Sequence, residues 1–234
     1  MRKTNAISTS EECDLGGFQL FKKLTEEELA RLNYDKECSV YKKGTIVYKE
    51  GNRLTGFFCV TRGILKIYKT GIDGKEQIIR FAKKGNIIAY RSLVSQELAC
   101  TTAKVIDDAV LCHIPYQTLL YLIQNNWQFS LHMLQIVCGE LREANSYITD
   151  IAQKSVRERL AEVLLILKDN FELDNQNTLK ISLTREELAN IVGTATESVI
   201  RLLSEFKQDK LIELQGRRIK IIDIRGLTKV ANVL

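Results

Sequence analysis

The only proline of the chain, Pro115, separates two textures of sequence. Before it, from about Val40, short runs rich in Val, Ile, Tyr and Phe alternate with glycine-bearing breaks. Thr45-Ile46-Val47-Tyr48 runs to Gly51, Gly56-Phe57-Phe58-Cys59-Val60 runs to Gly63, and Ile64-Leu65-Lys66-Ile67-Tyr68 follows. Asp73-Gly74 is a hairpin signal, because both residues tolerate positive φ, and Gly85-Asn86 marks another turn. Short strands at this spacing predict an all-β roll, barrel or sandwich. After Pro115 the apolar residues recur at helical spacing.

Leu119, Leu120, Leu122 and Ile123 fit a short helix. Beyond it Trp127, Leu131, Leu134, Cys138, Leu141, Asn145, Ile148 and Ala152 are separated by alternating steps of four and three, the heptad seam of a coiled coil. A helix of that span is about 38 Å long. The expected interface of a dimer is Trp127, Leu131, Leu134, Cys138, Leu141, Asn145 and Ile148, with Asn145 as the polar residue that fixes register. Packing of the same stripe on the chain's own β-roll is the alternative. Thr25 with Glu28, and Ser155 with Glu158, have the spacing of capping boxes. The first opens a short helix that buries Leu24, Leu29 and Leu32. The second opens a helix to about Lys168 with Leu160, Val163, Leu164 and Leu167 inward. Residues 169–178 read as a loop and Leu179 to Leu183 as a short strand.

The 234 residues suit one large or two small domains. With 34 Lys and Arg against 29 Asp and Glu the net charge is +5, which permits a nucleic-acid partner without requiring one. No apolar run approaches the roughly 20 residues of a membrane span, and the first dozen residues are polar, so no membrane partner and a cytoplasmic location are expected. The cysteines at positions 13, 38, 59, 100, 112 and 138 form no C-x-x-C pair, and free, mostly buried thiols are the expectation. No nucleophile–base arrangement, phosphate-binding glycine loop or metal cluster is legible, and His113 and His132 are the only histidines. An enzyme is not expected.

The informative stretch lies between Ser182 and Ile222. Thr184-Arg185-Glu186-Glu187 opens a helix with Leu188, Ala189 and Val192 on its apolar side, and Gly193 supplies the permissive backbone of a tight turn. A second helix from about Ala195 to Gln208 turns Val199, Leu202, Leu203 and Phe206 inward. It turns Glu197, Ile200, Arg201 and Ser204 outward, with Thr196 and Ser198 in its first turn. Two short helices around a glycine turn meet the requirement of a helix-turn-helix, whose first member holds the second for the major groove. Arg201 can donate two bonds to guanine and Glu197 can accept one from cytosine. The same pair also reads as an ion pair on a solvated face, and Glu197 as the closing member of a capping box with Thr194. Leu211 to Ile222 alternates around Gln215-Gly216 as a hairpin, a wing whose Arg217, Arg218 and Lys220 can meet phosphates.

With these residues in view the chain resembles the Crp/Fnr family of bacterial transcription regulators, from about Phe18 to Ile222. The most specific segment runs from Ile181 to Leu203. It has the family's T-R-E-x-[IL]-A helix, V-G turn and E-[ST]-V-x-R recognition helix, and Gly44, Gly51, Gly63, Gly74 and Gly85 follow the family's roll turns. The resemblance implies an α+β architecture. A cyclic-nucleotide-binding-like jelly roll spans residues 14–123 behind a flexible tail of residues 1–13. A dimerisation helix spans 124–152, and a winged helix-turn-helix spans 153–234. It implies a homodimer on a near-palindromic operator, with RNA polymerase and a small-molecule effector as further partners, and a signal in the roll that resets the spacing of the recognition helices. The DNA-contacting set carried over is Thr184, Arg185, Thr194, Thr196, Glu197, Ser198, Ile200, Arg201, Arg217 and Arg218. The outer base pair is expected to be read differently from cyclic-AMP-dependent members, because Thr196 stands where they have Arg. The alternative function is a winged-helix module that binds a protein partner.

The effector pocket implied by the resemblance comprises Ala89, Tyr90, Arg91, Ser92, Cys100 and Thr101. Tyr90 stands at the family's acidic position and Ala99 at its phosphate-binding arginine, so cyclic AMP is not expected to bind well. Arg91 reads as a salt-bridge partner, with an anion site as its alternative. Oxygen-sensing members hold an iron–sulfur cluster on an N-terminal group of cysteines, and Cys13 alone lies in that region, so a cluster is not expected. No cofactor is assigned; haem on His113 or His132, and a redox thiol at Cys100 or Cys112, stay open beside structural roles for all four.

Overall fold

The structure, a computed structural model, describes residues 15–232. Cys13 and the N-terminal tail lie outside the described residues. The chain divides into two compact units, one ending at Glu140 and the other beginning at Leu141. Among the described residues no helix is long and apolar enough to cross a membrane.

In the first unit a short 3-10 turn at Gln19–Phe21 precedes α1 (Glu26–Asp35). The capping box forms as its spacing predicts: the Glu28 amide donates to Thr25 Oγ1 at 3.2 Å and the Thr25 amide to Glu28 Oε2 at 2.8 Å. The strands are β1 (Glu37–Tyr41), β2 (Ile46–Tyr48), β3 (Gly56–Thr70), β4 (Glu76–Lys83), β5 (Ile87–Ile88) and β6 (Thr102–Pro115). They form one antiparallel sheet in the order β1-β6-β3-β4, with β2 also on β6 and β5 also on β3. The long strands β3 and β6 form the spine, and register shifts along it bend the sheet into a roll. One of these shifts flanks Gly63, at φ +85°, where an added Cβ would lie 2.4 Å from the Asp108 carbonyl oxygen.

One core inside the roll gathers Val60, Leu65, Ile67, Val105 and Leu111. A second joins Phe57, Val110 and Ile114 of the sheet to Leu32, Leu119, Leu122 and Phe129 of the flanking helices. Those helices are α1, α3 (Tyr116–Asn125) and α4 (Trp127–Gln153), while α2 (Tyr90–Val94) sits in the loop between β5 and β6. The Asn126 side chain starts α4 by accepting from the Phe129 amide at 2.9 Å. The helix ends at Gln153, as its periodicity predicts, and its seam is open in the protomer: Trp127 is 72% exposed, Leu134 60%, Leu141 60% and Ile148 65%.

One expectation about the cysteines is corrected. Cys38 and Cys112 form a disulfide, because β1 and β6 pair in a register that sets them directly opposite each other. Their separation of 74 residues hid the pairing in the sequence. Cys59, Cys100 and Cys138 are free thiols.

The second unit contains α5 (Val156–Phe171), α6 (Arg185–Val192), α7 (Thr196–Gln208), the hairpin β7 (Ile212–Gln215) and β8 (Arg218–Ile221), and α8 (Ile224–Ala231). Leu160, Leu164, Leu188, Val192, Val199, Leu203, Phe206 and Leu227 are among its most buried apolar residues. The strand expected over Leu179 to Leu183 does not form. Leu179 donates to the Ile219 carbonyl at 2.9 Å, the only bridges are isolated, and the chain then leaves the hairpin edge for the cap at Thr184. The alternation survives as packing, with Leu179, Ile181 and Leu183 buried and no ladder beside them.

Candidate nucleic-acid interface

The helix-turn-helix is built by local chemistry. Thr184 Oγ1 accepts from the Glu187 amide at 3.0 Å while Glu187 Oε2 accepts from the Thr184 amide at 2.9 Å, which satisfies two of the orphan donors at the start of α6. At its other end Gly193 is left-handed, φ 71° and ψ 52°, and its amide returns to the Ala189 carbonyl at 2.9 Å. The last carbonyls of α6 are also taken: Tyr147 donates to Ile191 O at 3.3 Å and Arg159 Nε to Val192 O at 3.1 Å. The turn that aims α7 is therefore pinned on both sides.

α7 begins at Thr196, with Ala195 as its N-cap and no side-chain cap, so the capping box considered for Thr194 and Glu197 is not made. Val199, Leu202, Leu203 and Phe206 are buried, while Glu197, Ile200, Arg201 and Ser204 face solvent. Thr194, Thr196 and Ser198 are half-buried around the first turn. The ion pair considered for Glu197 and Arg201 is replaced by another: Arg201 Nη1 meets Glu205 Oε1 at 3.0 Å. Glu205 is held from the opposite side by Arg157 Nη1 at 2.9 Å, and the Arg157 guanidinium also lies 4.8 Å from the Phe206 ring centre. Sequence reasoning missed Glu205 and Arg157. The i,i+4 spacing of Arg201 and Glu205 could have found the first; nothing local links Arg157 to them.

The wing forms, but its two-residue loop is Gly216-Arg217, because Gln215 pairs with Arg218. Arg185, at the start of α6, donates from Nη2 to the Gly216 carbonyl at 2.8 Å and so ties the wing tip to the helix. Its Nη1 is buried without a hydrogen-bond partner among the described residues, and burial draws its pKa below the usual guanidinium value. Arg217 and Arg218 are exposed, whereas Lys220 lies against Glu213 at 3.3 Å. The fold thus brings Thr184, Arg185 and the wing tip to one place.

In the first unit all six expected effector residues line a single pocket, together with Tyr48, Ile67 and Arg80. Ala89 there is left-handed at φ 72°. Cys100 donates its amide to Ser92 Oγ at 3.1 Å, and the Tyr48 and Thr101 hydroxyls are 3.4 Å apart. Arg91 makes the salt bridge its position suggests, to Glu140 at 3.4 Å, and Arg80 meets the same carboxylate at 3.3 Å. Burial first, and then the Glu140 charge, push the Tyr90 hydroxyl far above its ordinary pKa. The charges that cyclic AMP would call on are engaged or replaced here: Arg80 and Arg91 are paired with Glu140, and Tyr90 and Ala99 stand where the resemblance places an acid and an arginine. Arg80 and Glu140 were not anticipated, because the pairing joins β4 to a helix far along the chain.

A family model of the cyclic nucleotide-binding domain matches residues 39–126, and one of the Crp-like helix-turn-helix domain matches residues 158–230. The transcriptional activator protein FnrA of Stutzerimonas stutzeri is 26% identical over 223 residues, covering 94% of this chain and 91% of the relative. The fumarate and nitrate reduction regulatory protein of Escherichia coli K12 is 24% identical over 224 residues, covering 94% and 89%. Among solved structures, a protein of Eubacterium rectale assigned to the Crp/Fnr family superposes with a TM-score of 0.78 at 21% identity, over 92% of this chain and 99% of that one. FixK2 of Bradyrhizobium japonicum gives 0.75 at 22%, over 85% and 98%. A roll of the cyclic-nucleotide-binding type joined to a winged helix-turn-helix defines a DNA-binding transcription regulator. Within that class, the chain belongs to the Crp/Fnr family.

Proposed function

We propose that the chain works in the cytoplasm as a homodimer, joined along the α4 seam, that reads a near-palindromic operator with α7 from each protomer. The observation that carries this reading is the division of α7: four apolar residues hold it down, and Glu197, Ile200, Arg201 and Ser204 form an unobstructed outer edge. On that edge Arg201 donates to guanine O6 and N7, Glu197 accepts from cytosine N4, and Ile200 packs on a thymine methyl. Thr184, Arg185, Thr194, Thr196, Ser198, Arg217 and Arg218 surround the edge and meet the sugar-phosphate walls. The chain regulates through binding and contact with RNA polymerase, not catalysis, and the pocket that Arg80 and Arg91 help to line is its effector site, with a ligand other than cyclic AMP.

The test is fluorescence anisotropy on a duplex with two half-sites resembling TTGA or GTGA, the pattern that the family resemblance suggests for Glu197 and Arg201, about one helical turn apart. Affinity is expected to fall steeply with salt, as phosphate neutralisation requires. Arg201→Ala is expected to lose about 10- to 100-fold on the operator and little on unrelated duplex, with the dimer intact by sedimentation. Sequence preference that survives Arg201→Ala removes that residue from base reading. Binding to neither duplex at any salt concentration, with capture of a protein partner, would replace the DNA reading altogether.

A further inference from the structure

Three cysteines stand in one transverse row of the sheet, and DNA reading uses none of them. Cys112 on β6 faces Cys38 on β1 to one side and Cys59 on β3 to the other. Residues directly opposite in an antiparallel ladder share a face, so all three sulfurs lie on the same side of the sheet. The Cα atoms of Cys38 and Cys112 are 4.0 Å apart, the narrow spacing of a non-hydrogen-bonded pair. A strand residue points its N–H and C=O to one side, so Cys112 is hydrogen-bonded toward β3 and faces Cys59 across the wider gap. The disulfide accordingly forms with Cys38, and Cys59 remains a thiol.

The three sulfurs also differ in access. Cys59 and Cys112 are 0% exposed, whereas Cys38 is half-buried on a strand that, among the described residues, pairs with β6 alone. Burial pushes the Cys59 thiol well above its ordinary pKa, which keeps it protonated and a poor nucleophile beside the bond. Cys38 is thus the one member of the row that is not fully buried, the side from which a thiolate would enter, and the neighbouring thiol does not compete with it.

We propose that Cys38–Cys112 is a reversible thiol–disulfide exchange site for low-molecular-weight thiols and disulfides, entered through Cys38. In the reducing direction a small thiolate attacks Cys38 Sγ. A new S–S bond forms to Cys38, the bond to Cys112 breaks, and the electron pair leaves on Cys112 Sγ, which takes a proton. A second small thiolate attacks the sulfur of the adduct, releasing Cys38 as a thiol and the small molecule as its disulfide. The protein gains two electrons and two protons, and two small thiols become one disulfide; oxidation is the reverse, with a small disulfide as oxidant. The bond fastens edge strand β1 to the spine across 74 residues of chain, so exchange alters how firmly the roll is closed.

The full-length protein is equilibrated anaerobically in a series of reduced and oxidised glutathione mixtures. It is then acid-quenched, alkylated, digested and mapped by mass spectrometry. The expected result is one two-thiol transition in the folded protein linking the Cys38 and Cys112 peptides, with Cys59 free throughout. The oxidised form should melt about 5–15 °C above the reduced form. Cys112→Ser should trap glutathione on Cys38 and not on Cys59. If that buried change prevents folding, Cys38→Ser, at the half-buried position, should abolish the transition and leave Cys112 a thiol. No bond at any mixture, a bond reduced only after denaturation, or a link to Cys59 would each overturn the proposal.

Discussion

Gly63 and Gly74 both have positive φ, at +85° and +76°, yet their surroundings differ. A Cβ at Gly63 would meet the Asp108 carbonyl oxygen at 2.4 Å and Ala109 Cα at 2.5 Å, whereas nothing lies within 4 Å of one at Gly74. Gly74→Ala therefore carries the left-handed strain alone, about 1–2 kcal/mol. Gly63→Ala adds a backbone collision in the spine of the sheet, and a total of about 3–5 kcal/mol is expected. Urea unfolding of the two variants measures the difference; equal losses would remove the collision from the account. The sequence marks both positions as turn glycines, but only the register of β3 on β6 distinguishes them. The same holds at Arg201: its outward direction follows from helical spacing, while its buttress of Glu205 and Arg157 needs α5 in place.

At the scale of elements, caps were the most legible feature. Thr25, Ser155 and Thr184 each form the box that their spacing predicts, because a cap is a contact over three residues. α8 carried a readable signal too, Asp223 followed by Ile224, Leu227 and Ala231, and its Asp223 Oδ1 accepts from the Gly226 amide at 2.9 Å. Contacts between helices were not legible. Arg157 joins α5 to α7 through Glu205 at 2.9 Å and Asp209 at 2.6 Å, on partners half in solvent. Arg157→Ala is expected to cost about 1 kcal/mol of stability, in keeping with partly screened pairs and one cation–π contact. It should also lower operator affinity by several-fold, because Glu205 then turns freely and carries Arg201 with it. Thermal melts with anisotropy check both; a melting change with unaltered affinity would confine Arg157 to stability.

For the whole molecule, the proposed dimer along α4 is what would set two copies of α7 on one operator. Leu134 and Leu141 are each 60% exposed in the protomer, so they contribute little to its own core. Leu134→Glu with Leu141→Glu is expected to give a monomer by sedimentation, with melting nearly unchanged in the protomer and operator affinity at least about 100-fold lower, since the second half-site is lost. A dimer that persists would place the partner surface elsewhere. By itself the sequence determined whatever depends on neighbours in the chain: the change of texture at Pro115, the heptad seam, the caps, the glycine turn and the outward edge of α7. Periodicity and capping act over one or two turns, and so a linear reading contains them. Only the tertiary structure decided that Cys38 faces Cys112, that Arg80 and Arg91 share Glu140, that residues 179–183 pack without pairing, and that Arg185 holds the wing. Each joins residues distant in the chain, and the register and packing that bring them together are properties of the folded whole.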